Sequence, residues 1–228
     1  ESRAAVQPAL LRKFLALGAR YHVVLVSGSE RHQMVLQGFG VPAPYWVLSQ
    51  SGNAAAQPGG TQLWRNSLSP TARREMLQHI ALLRVAAELA GIQPLSPERD
   101  MVEDRGCQIS YSLVGHHAPL EKKRAFDPDR SRRSRLLQSC PLESDLIEAH
   151  IGGTTCVDYT LKGQTKGANV ARLMRLLSWA KMDTLYIGDA FSSGGNDETL
   201  MGVCPILAVS GPGVTELLID ELLQPAPL

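Results

Sequence analysis

One stretch combines residue types and spacing suited to metal and phosphate chemistry, running from Thr184 to Asp197. A short apolar run, Thr184 to Ile187, leads into Gly188-Asp189. A Gly/Ser-rich loop then brings back Gly194-Gly195-Asn196-Asp197. In open α/β sheets, ligands bind at the carboxyl ends of the strands. Two carboxylates and an amide converging there would form a hard-oxygen site of the kind that suits Mg²⁺. The alternative is a polar turn in which Asp197 caps a helix.

Two further residues belong to the same reading. Ser27 ends the apolar run His22-Val-Val-Leu-Val26, and Gly28 follows it. A hydroxyl and neighbouring N–H groups at a strand end can hold a phosphate oxygen, or simply cap the strand. Lys166 opens a helical pattern after Lys162-Gly163. A cation at a helix N-terminus opposes the macrodipole, so a phosphate or carboxylate partner is expected for it. Without one, it is a solvated surface lysine.

The elements that would position these groups alternate. Residues 9–17 read as a helix closed by Gly18, 22–26 as a buried parallel strand, 30–37 as a helix and 45–48 as a second strand. Strand–helix–strand order indicates α/β architecture with a parallel sheet. The rhythm changes after the Pro58-Gly59-Gly60 turn cluster. Ser69-Pro70 starts a helix with Met76, Ile80, Leu83 and Ala87 on one face, closed by Gly91. Strand patterns at 102, 107–114, 146–151 and 155–160, with a helix over 129–138, read as an α+β insert. The α/β rhythm returns with a helix over 166–180, a strand at 184–187, a short helix at 198–201, a strand at 205–209 and a helix at 214–223. The predicted organisation is a core of residues 1–56 and 161–228 with an insert over 57–160.

Bulk properties narrow the function classes. A net charge of +1 over 228 residues gives no overall basic field for nucleic acid. The basic stretch Lys122–Arg135 reads first as a solvated helix face, and it lacks the interleaved aromatics of a nucleic-acid module. Cys107, Cys140, Cys156 and Cys204 form no C-x-x-C pair, so they read as reduced and mostly buried. No apolar run is long enough to span a bilayer, and no signal peptide is visible. The expected location is the cytoplasm, without a membrane or nucleic-acid partner.

The order Ser27, Lys166, Gly188-Asp189, Asn196-Asp197 resembles motifs two, three and four of the haloacid dehalogenase superfamily. Within it, the sequence resembles the subgroup with the large α/β cap. The spacing Gly-Asp-x₄-Gly-Gly-Asn-Asp is similar to that of eukaryotic-type phosphomannomutases. The insert adds to this. Glu103-Asp-Arg105 with Gln108–Gly115 resembles the cap strand that bears substrate-binding arginines. Arg105 matches the first of these. His116 and Lys123 stand where two others are expected, with Phe126 just after. Gly152-Gly-Thr-Thr-Cys-Val-Asp158 resembles the sugar-contacting Gly-Gly-x-x-Ser-x-Asp strand, with Cys156 in place of Ser.

The resemblance implies a Rossmann-like parallel-sheet core with an inserted α+β cap. It also implies Mg²⁺ as cofactor, with Asp189, Asn196 and Asp197 as the metal-binding residues. Ser27, Lys166 and Asp189 would be catalytic. Gly28, Arg105, Lys123, Thr154 and Asp158 would bind a small phosphorylated metabolite. A phosphatase acting on a sugar phosphate is expected, because two cap arginines are replaced; a sugar phosphate mutase is the alternative, and a homodimer through the cap is compatible with either. The superfamily's first motif, Asp-x-Asp at a strand end before the Ser27 strand, is not found in residues 1–21. Because the sequence starts at Glu1 rather than Met, a missing N-terminal strand is expected. A non-catalytic phospholigand-binding relative is the competing class.

Overall fold

The computed structural model describes residues 5–38, 44–192 and 195–224. In chain order the elements begin with α1 (Pro8–Gly18), β1 (Val24–Val26), α2 (Arg31–Leu36), β2 (Trp46–Ser49), β3 (Ala54–Ala56) and β4 (Gln62–Arg65). Next come α3 (Pro70–Leu89), β5 (Val102–Asp104), β6 (Ile109–Ser112), α4 (Leu120–Phe126) and α5 (Ser131–Ser139). The chain continues through β7 (Ile147–Gly152), β8 (Cys156–Leu161), α6 (Lys166–Leu176), β9 (Tyr186–Gly188), β10 (Ile206–Ala208) and α7 (Pro212–Leu223). Two compact units result. The first holds Glu1–Arg65, Thr165–Ser193 and Asp197–Leu228. The second holds Asn66–Gln164, together with Gly195 and Asn196. No described helix is long and apolar enough to cross a membrane.

In the first unit β1 pairs parallel with β2, and β9 pairs parallel with β10. Side chains alternate across the strands. Val24, Val26 and Leu48 therefore join Val170, Leu173 and Met174 of α6 in one cluster, while Leu25 and Val47 meet Met34 and Tyr45 on the other side. The two parallel pairs are separate sheets. The edges of β1 away from β2 and of β9 away from β10 have no strand partner among the described residues.

β3 and β4 extend the β1–β2 sheet as an antiparallel hairpin. Sequence reading placed the start of the insert at residue 57, but the second unit begins at Asn66 and ends at Gln164. Pro58-Gly59-Gly60 is the hairpin tip, with Gln57 and Thr61 bonded across it and both glycines at positive φ. Three consecutive alanines are poor strand formers, so pattern alone did not reveal β3.

The second unit is a four-stranded antiparallel sheet, order β5-β6-β8-β7. Ile109, Tyr111, Val157, Tyr159 and Ile147 line its apolar face against Met76, Ile80, Leu83 and Ala87 of α3 and Leu136 of α5. Ser69 accepts the Ala72 N–H at the start of α3, and Pro70 occupies its first turn. Gly91, at φ +72°, closes it: its N–H bonds Glu88 and the Ile92 N–H bonds Ala87, the Schellman pattern. α6 ends the same way four residues earlier than the apolar pattern suggested. Ser178 adopts φ +54°, and the Trp179 N–H returns to Met174.

The basic stretch is not simply a solvated face. Arg133 is 1% exposed. It donates to the Asp127 carboxylate at 2.7 Å and, from one nitrogen, to the carbonyls of Gly152, Gly153 and Cys156 at 2.8, 3.0 and 3.2 Å.

Candidate active site

In the first unit, the start of α6 and the end of β9 meet around Asp197. Thr165 caps α6 by accepting the Ala168 N–H, and Lys166 follows with 7% exposure. Its ammonium donates to Asp197 Oδ1 at 2.6 Å, and the Tyr186 hydroxyl donates to the same oxygen at 2.9 Å. The Ala190 N–H donates to Oδ2 at 3.2 Å. Burial pushes the Asp197 carboxyl up, but the Lys166 charge and these hydrogen bonds outweigh it and hold the group below its ordinary range. Burial, with the carboxylate beside it, pushes the Tyr186 phenol strongly up, so it stays a neutral donor. The expected partner for a cation at a helix N-terminus is therefore a carboxylate of the same chain.

Two glycines permit this approach. A Cβ at Gly188 would lie 2.5 Å from Asp197 Oδ2, and one at Gly167 would lie 1.8 Å from the Thr199 carbonyl oxygen. The Gly167 N–H also donates to Thr199 Oγ1 at 3.0 Å. Asn169, one helical turn on, is 1% exposed and donates to the Ser51 carbonyl at 3.1 Å. The Ser51 N–H donates in turn to the Ser27 carbonyl at 2.8 Å. A hydrogen-bonded path thus ties the Lys166 helix to the Ser27 turn. There Ser27 Oγ accepts the Ser29 N–H at 3.1 Å, and its own O–H can still donate to a ligand. Gly28 is half-buried, with Ser51 Oγ 3.9 Å from the place of a Cβ.

Asp189 is exposed just beyond the end of β9. Asn196 is exposed and groups with the second unit, and Gly194 lies outside the described residues. A carboxylate open to solvent at a strand end could serve a hard cation that keeps most of its water. Asp197 can add little: both Oδ1 lone pairs are engaged, and one position on Oδ2 remains. No group of three or more His, Cys, Asp or Glu among the described residues is arranged to hold a metal ion. Asp189 is the carboxylate at this strand end that is open to solvent. A cavity of about 190 Å³ in this unit lies elsewhere, over Ala54 and Ala56 between Arg31 and Arg65.

In the second unit, Arg105 and Asp158 lie on the polar side of the sheet. Register places Glu103, Ser110, Asp158 and His150 in one row across all four strands. The Arg105 guanidinium is directed into this row. Two of its nitrogens donate to Glu103 Oε2 at 3.1 and 2.7 Å. Burial opposes its charge, and Asp158 and Glu103 more than restore it, so its pKa is raised. Ser110 donates to Asp158 at 2.5 Å. Lys123 donates to the His116 carbonyl at 2.8 Å, and the His116 ring lies 3.7 Å from Glu103. Thr154 is exposed on the β7–β8 turn that Arg133 grips. The four cysteines are free, with Cys107 and Cys204 buried.

No family model and no curated protein matches the chain. Solved structures do. An IMP-bound Plasmodium falciparum IMP-nucleotidase variant superposes with a TM-score of 0.66 at 15% identity, over 97% of this chain and 64% of that one. A phosphatase of the haloalkanoate dehalogenase superfamily from Bacteroides thetaiotaomicron gives 0.57 at 10% identity, over 96% and 88%. The chain has the haloacid dehalogenase fold. A Synechocystis sucrose-phosphatase, solved with sucrose and phosphate, shares it with a TM-score of 0.52 at 19% identity, over 96% and 84%. At such identities the likeness is one of fold. In the terms of that fold, the first unit is the core and the second the cap. The chain spans 64% of the length of the IMP-nucleotidase chain.

Tyr186 and Asn169 were not singled out from sequence. Tyr186 lies two residues before Gly188-Asp189 on an apolar strand, where an aromatic reads as core. Asn169 is a buried amide on a helix face otherwise formed by Val170, Leu173 and Met174, and that break in the pattern was its signal.

Proposed function

We propose that this chain acts in Mg²⁺-dependent phosphoryl transfer, as a phosphatase that releases phosphate from a small phosphorylated metabolite, foremost a sugar phosphate. The observation that carries the reading is Lys166: a buried ammonium fixed by Asp197 at 2.6 Å, at a helix start, in the same unit as Ser27 and Asp189. Such a cation, held in place before substrate arrives, stabilises charge on a transferring phosphoryl group. Ser27 donates to another phosphoryl oxygen, with the Gly28 backbone beside it. Asp189 holds Mg²⁺; Asn196 and Asp197 are assigned to the same site by the motif spacing. Mg²⁺, when bound, draws charge from the phosphoryl oxygens. The superfamily resemblance assigns the attacking carboxylate to an Asp-x-Asp strand. The unpartnered edges of β1 and β9 are where such a strand would pair.

The superposed structures include a nucleotidase and a sucrose-phosphatase, which favours hydrolysis of small phosphate esters. Four free cysteines favour a reducing compartment such as the cytoplasm. The test uses the full-length protein with Mg²⁺ and a panel of hexose phosphates, reading inorganic phosphate. Asp189→Ala is expected to bring Mg²⁺-dependent release to background; unchanged release overturns the assignment. Conversion of a hexose 1-phosphate to its 6-phosphate with a bisphosphate activator, and without free phosphate, would replace the phosphatase with a mutase.

A further inference from the structure

The β1–β4 sheet turns one face to α6, and α2 covers the other only in part. On that second face Met34 of α2 packs with Leu25 and Val47. Register carries the face on from Val47 to Ala56 and from Ser49 to Ala54, and then to β4, where Ala54 pairs with Arg65 and Ala56 with Gln62. The β3 methyls leave a cavity of about 190 Å³ above them, lined also by Arg31, Gln62 and Arg65. In a regular strand Gln62 and Arg65 would point to opposite faces. A register shift at Ala55 and Ala56 changes this: Ala55 pairs with Trp64 and Ala56 with Gln62, so Leu63 is an extra residue. Leu63 and Trp64 both join the cluster with α6, while Gln62 and Arg65 both line the cavity. Bulges re-aim side chains in this way.

The lining combines spare cationic donors with an apolar floor. Arg31, the first residue of α2, donates one guanidinium nitrogen to the Gly60 carbonyl at the hairpin tip at 2.9 Å. A guanidinium has five N–H donors, and nothing else engages Arg31 among the described residues. Arg65 brings a second guanidinium from the end of β4. The one carboxylate on the lining, Glu30, lies 3.2 Å from a His32 ring nitrogen, so positive charge is in excess. Guanidinium groups bind carboxylate and phosphate oxygens bidentately. The floor is Val47, Ala54 and Ala56, and Ser49 gives its hydroxyl to the Ala54 carbonyl at 3.3 Å. Methyl groups of this kind suit a flat hydrocarbon body. Drug-sized ligands occupy about 300–1,000 Å³, so this cavity takes something smaller.

We infer that the cavity between α2 and the β3–β4 hairpin is a ligand site in its own right, and that its ligand is a small organic oxyanion: one carboxylate or phosphate group on a flat apolar body of about one ring. Ser27, Lys166 and Asp189 do not line it, so the inference stands apart from the phosphatase reading. It rests on residues of the first unit alone.

The test uses the full-length protein without Mg²⁺ and reads binding of benzoate, phenyl phosphate and benzyl alcohol by ligand-observed NMR titration. Benzoate is expected to bind at least about tenfold more tightly than benzyl alcohol, which has a similar body and no charge, since a hydrogen bond to a charged group is worth that much. Ala54→Val fills the cavity with a better strand former. It should keep or raise the unfolding temperature and abolish benzoate binding. Arg65→Gln, at an exposed position, should weaken benzoate several-fold, as should Arg31→Gln. Phenyl phosphate binding that is lost in Ala54→Val extends the ligand class to phosphate esters; benzoate binding lost there while phenyl phosphate binding persists confines the class to carboxylates. Benzyl alcohol binding as tightly as benzoate overturns the inference. So does an affinity for both anions that is the same in the natural protein, Ala54→Val and Arg65→Gln, an absence of binding at millimolar concentration included.

Discussion

Core and cap each bury a cation against a carboxylate, and the two pairs are used differently. In the cap, Arg133 and Asp127 have side chains 1% and 0% exposed. Each nitrogen of the guanidinium is engaged, by Asp127 or by three carbonyls around the β7–β8 turn. In the core, Lys166 and Asp197 are 7% and 4% exposed, and the ammonium gives one hydrogen bond to the carboxylate. An ammonium has three donors. A buried cation with every nitrogen engaged holds structure together; one with donors in reserve is placed to meet a ligand.

Substitutions can break that contrast. Arg133→Met should have the largest effect on folding, about 3–5 kcal/mol, because Asp127 loses its buried charge partner and keeps only the Arg132 and Arg133 N–H groups, while the carbonyls of Gly152, Gly153 and Cys156 lose their donor at the same time. Chemical denaturation reads it. Adding Asp127→Asn should recover only part of the loss, since the carbonyls of Gly152, Gly153 and Cys156 still lack their donor. Full recovery would mean that the turn does not depend on Arg133. Lys166→Met should act the other way: kcat falls by about 10²–10³-fold, while stability falls less than in Arg133→Met, because Tyr186 and the Ala190 N–H still hold Asp197. A larger stability loss than that of Arg133→Met, with kcat retained, would erase the distinction.

The smallest effect concerns a less buried pair. Burial pushes the Asp100 carboxyl up, but hydrogen bonds from the His117 ring and N–H and from Ser96 prevail and bring it from 3.8 to about 2. A carboxyl with a depressed folded-state pKa stabilises above its unfolded value and loses that contribution as pH falls. This contribution, on the order of 1–2 kcal/mol, should be complete above pH 4 and disappear toward pH 2. In Asp100→Asn that acid limb of the stability curve should flatten; an unchanged limb would assign it to other carboxylates.

Much of this was legible in the sequence. Ser69-Pro70 and Gly91 bracket α3 because capping chemistry is local. The Gly188-Asp189 and Asn196-Asp197 spacing pointed to the end of β9, where Lys166 and Asp197 pair. Lys166, out of place against the helix dipole, signalled an anionic partner. Less visible was anything set by a distant segment. Arg133 sits in a run of basic residues, and only the fold shows that Asp127 and the β7–β8 turn enclose it. Arg105 carries the expected residue type, but Glu103, two positions away on the same strand face, takes up its charge. The β3–β4 hairpin depends on pairing with β2, because Ala54-Ala55-Ala56 has little strand preference of its own.

The unpartnered edges of β1 and β9 have a practical side for anyone handling the protein. Val24-Leu25-Val26 and Tyr186-Ile187-Gly188 contain none of the lysines or prolines with which natural edge strands discourage pairing with a neighbouring chain. Left open, such edges would be prone to pair with a strand of a neighbouring chain at high concentration. A short synthetic strand added in trans would be expected to compete for them, and recovery of a monodisperse species on such addition would be its sign.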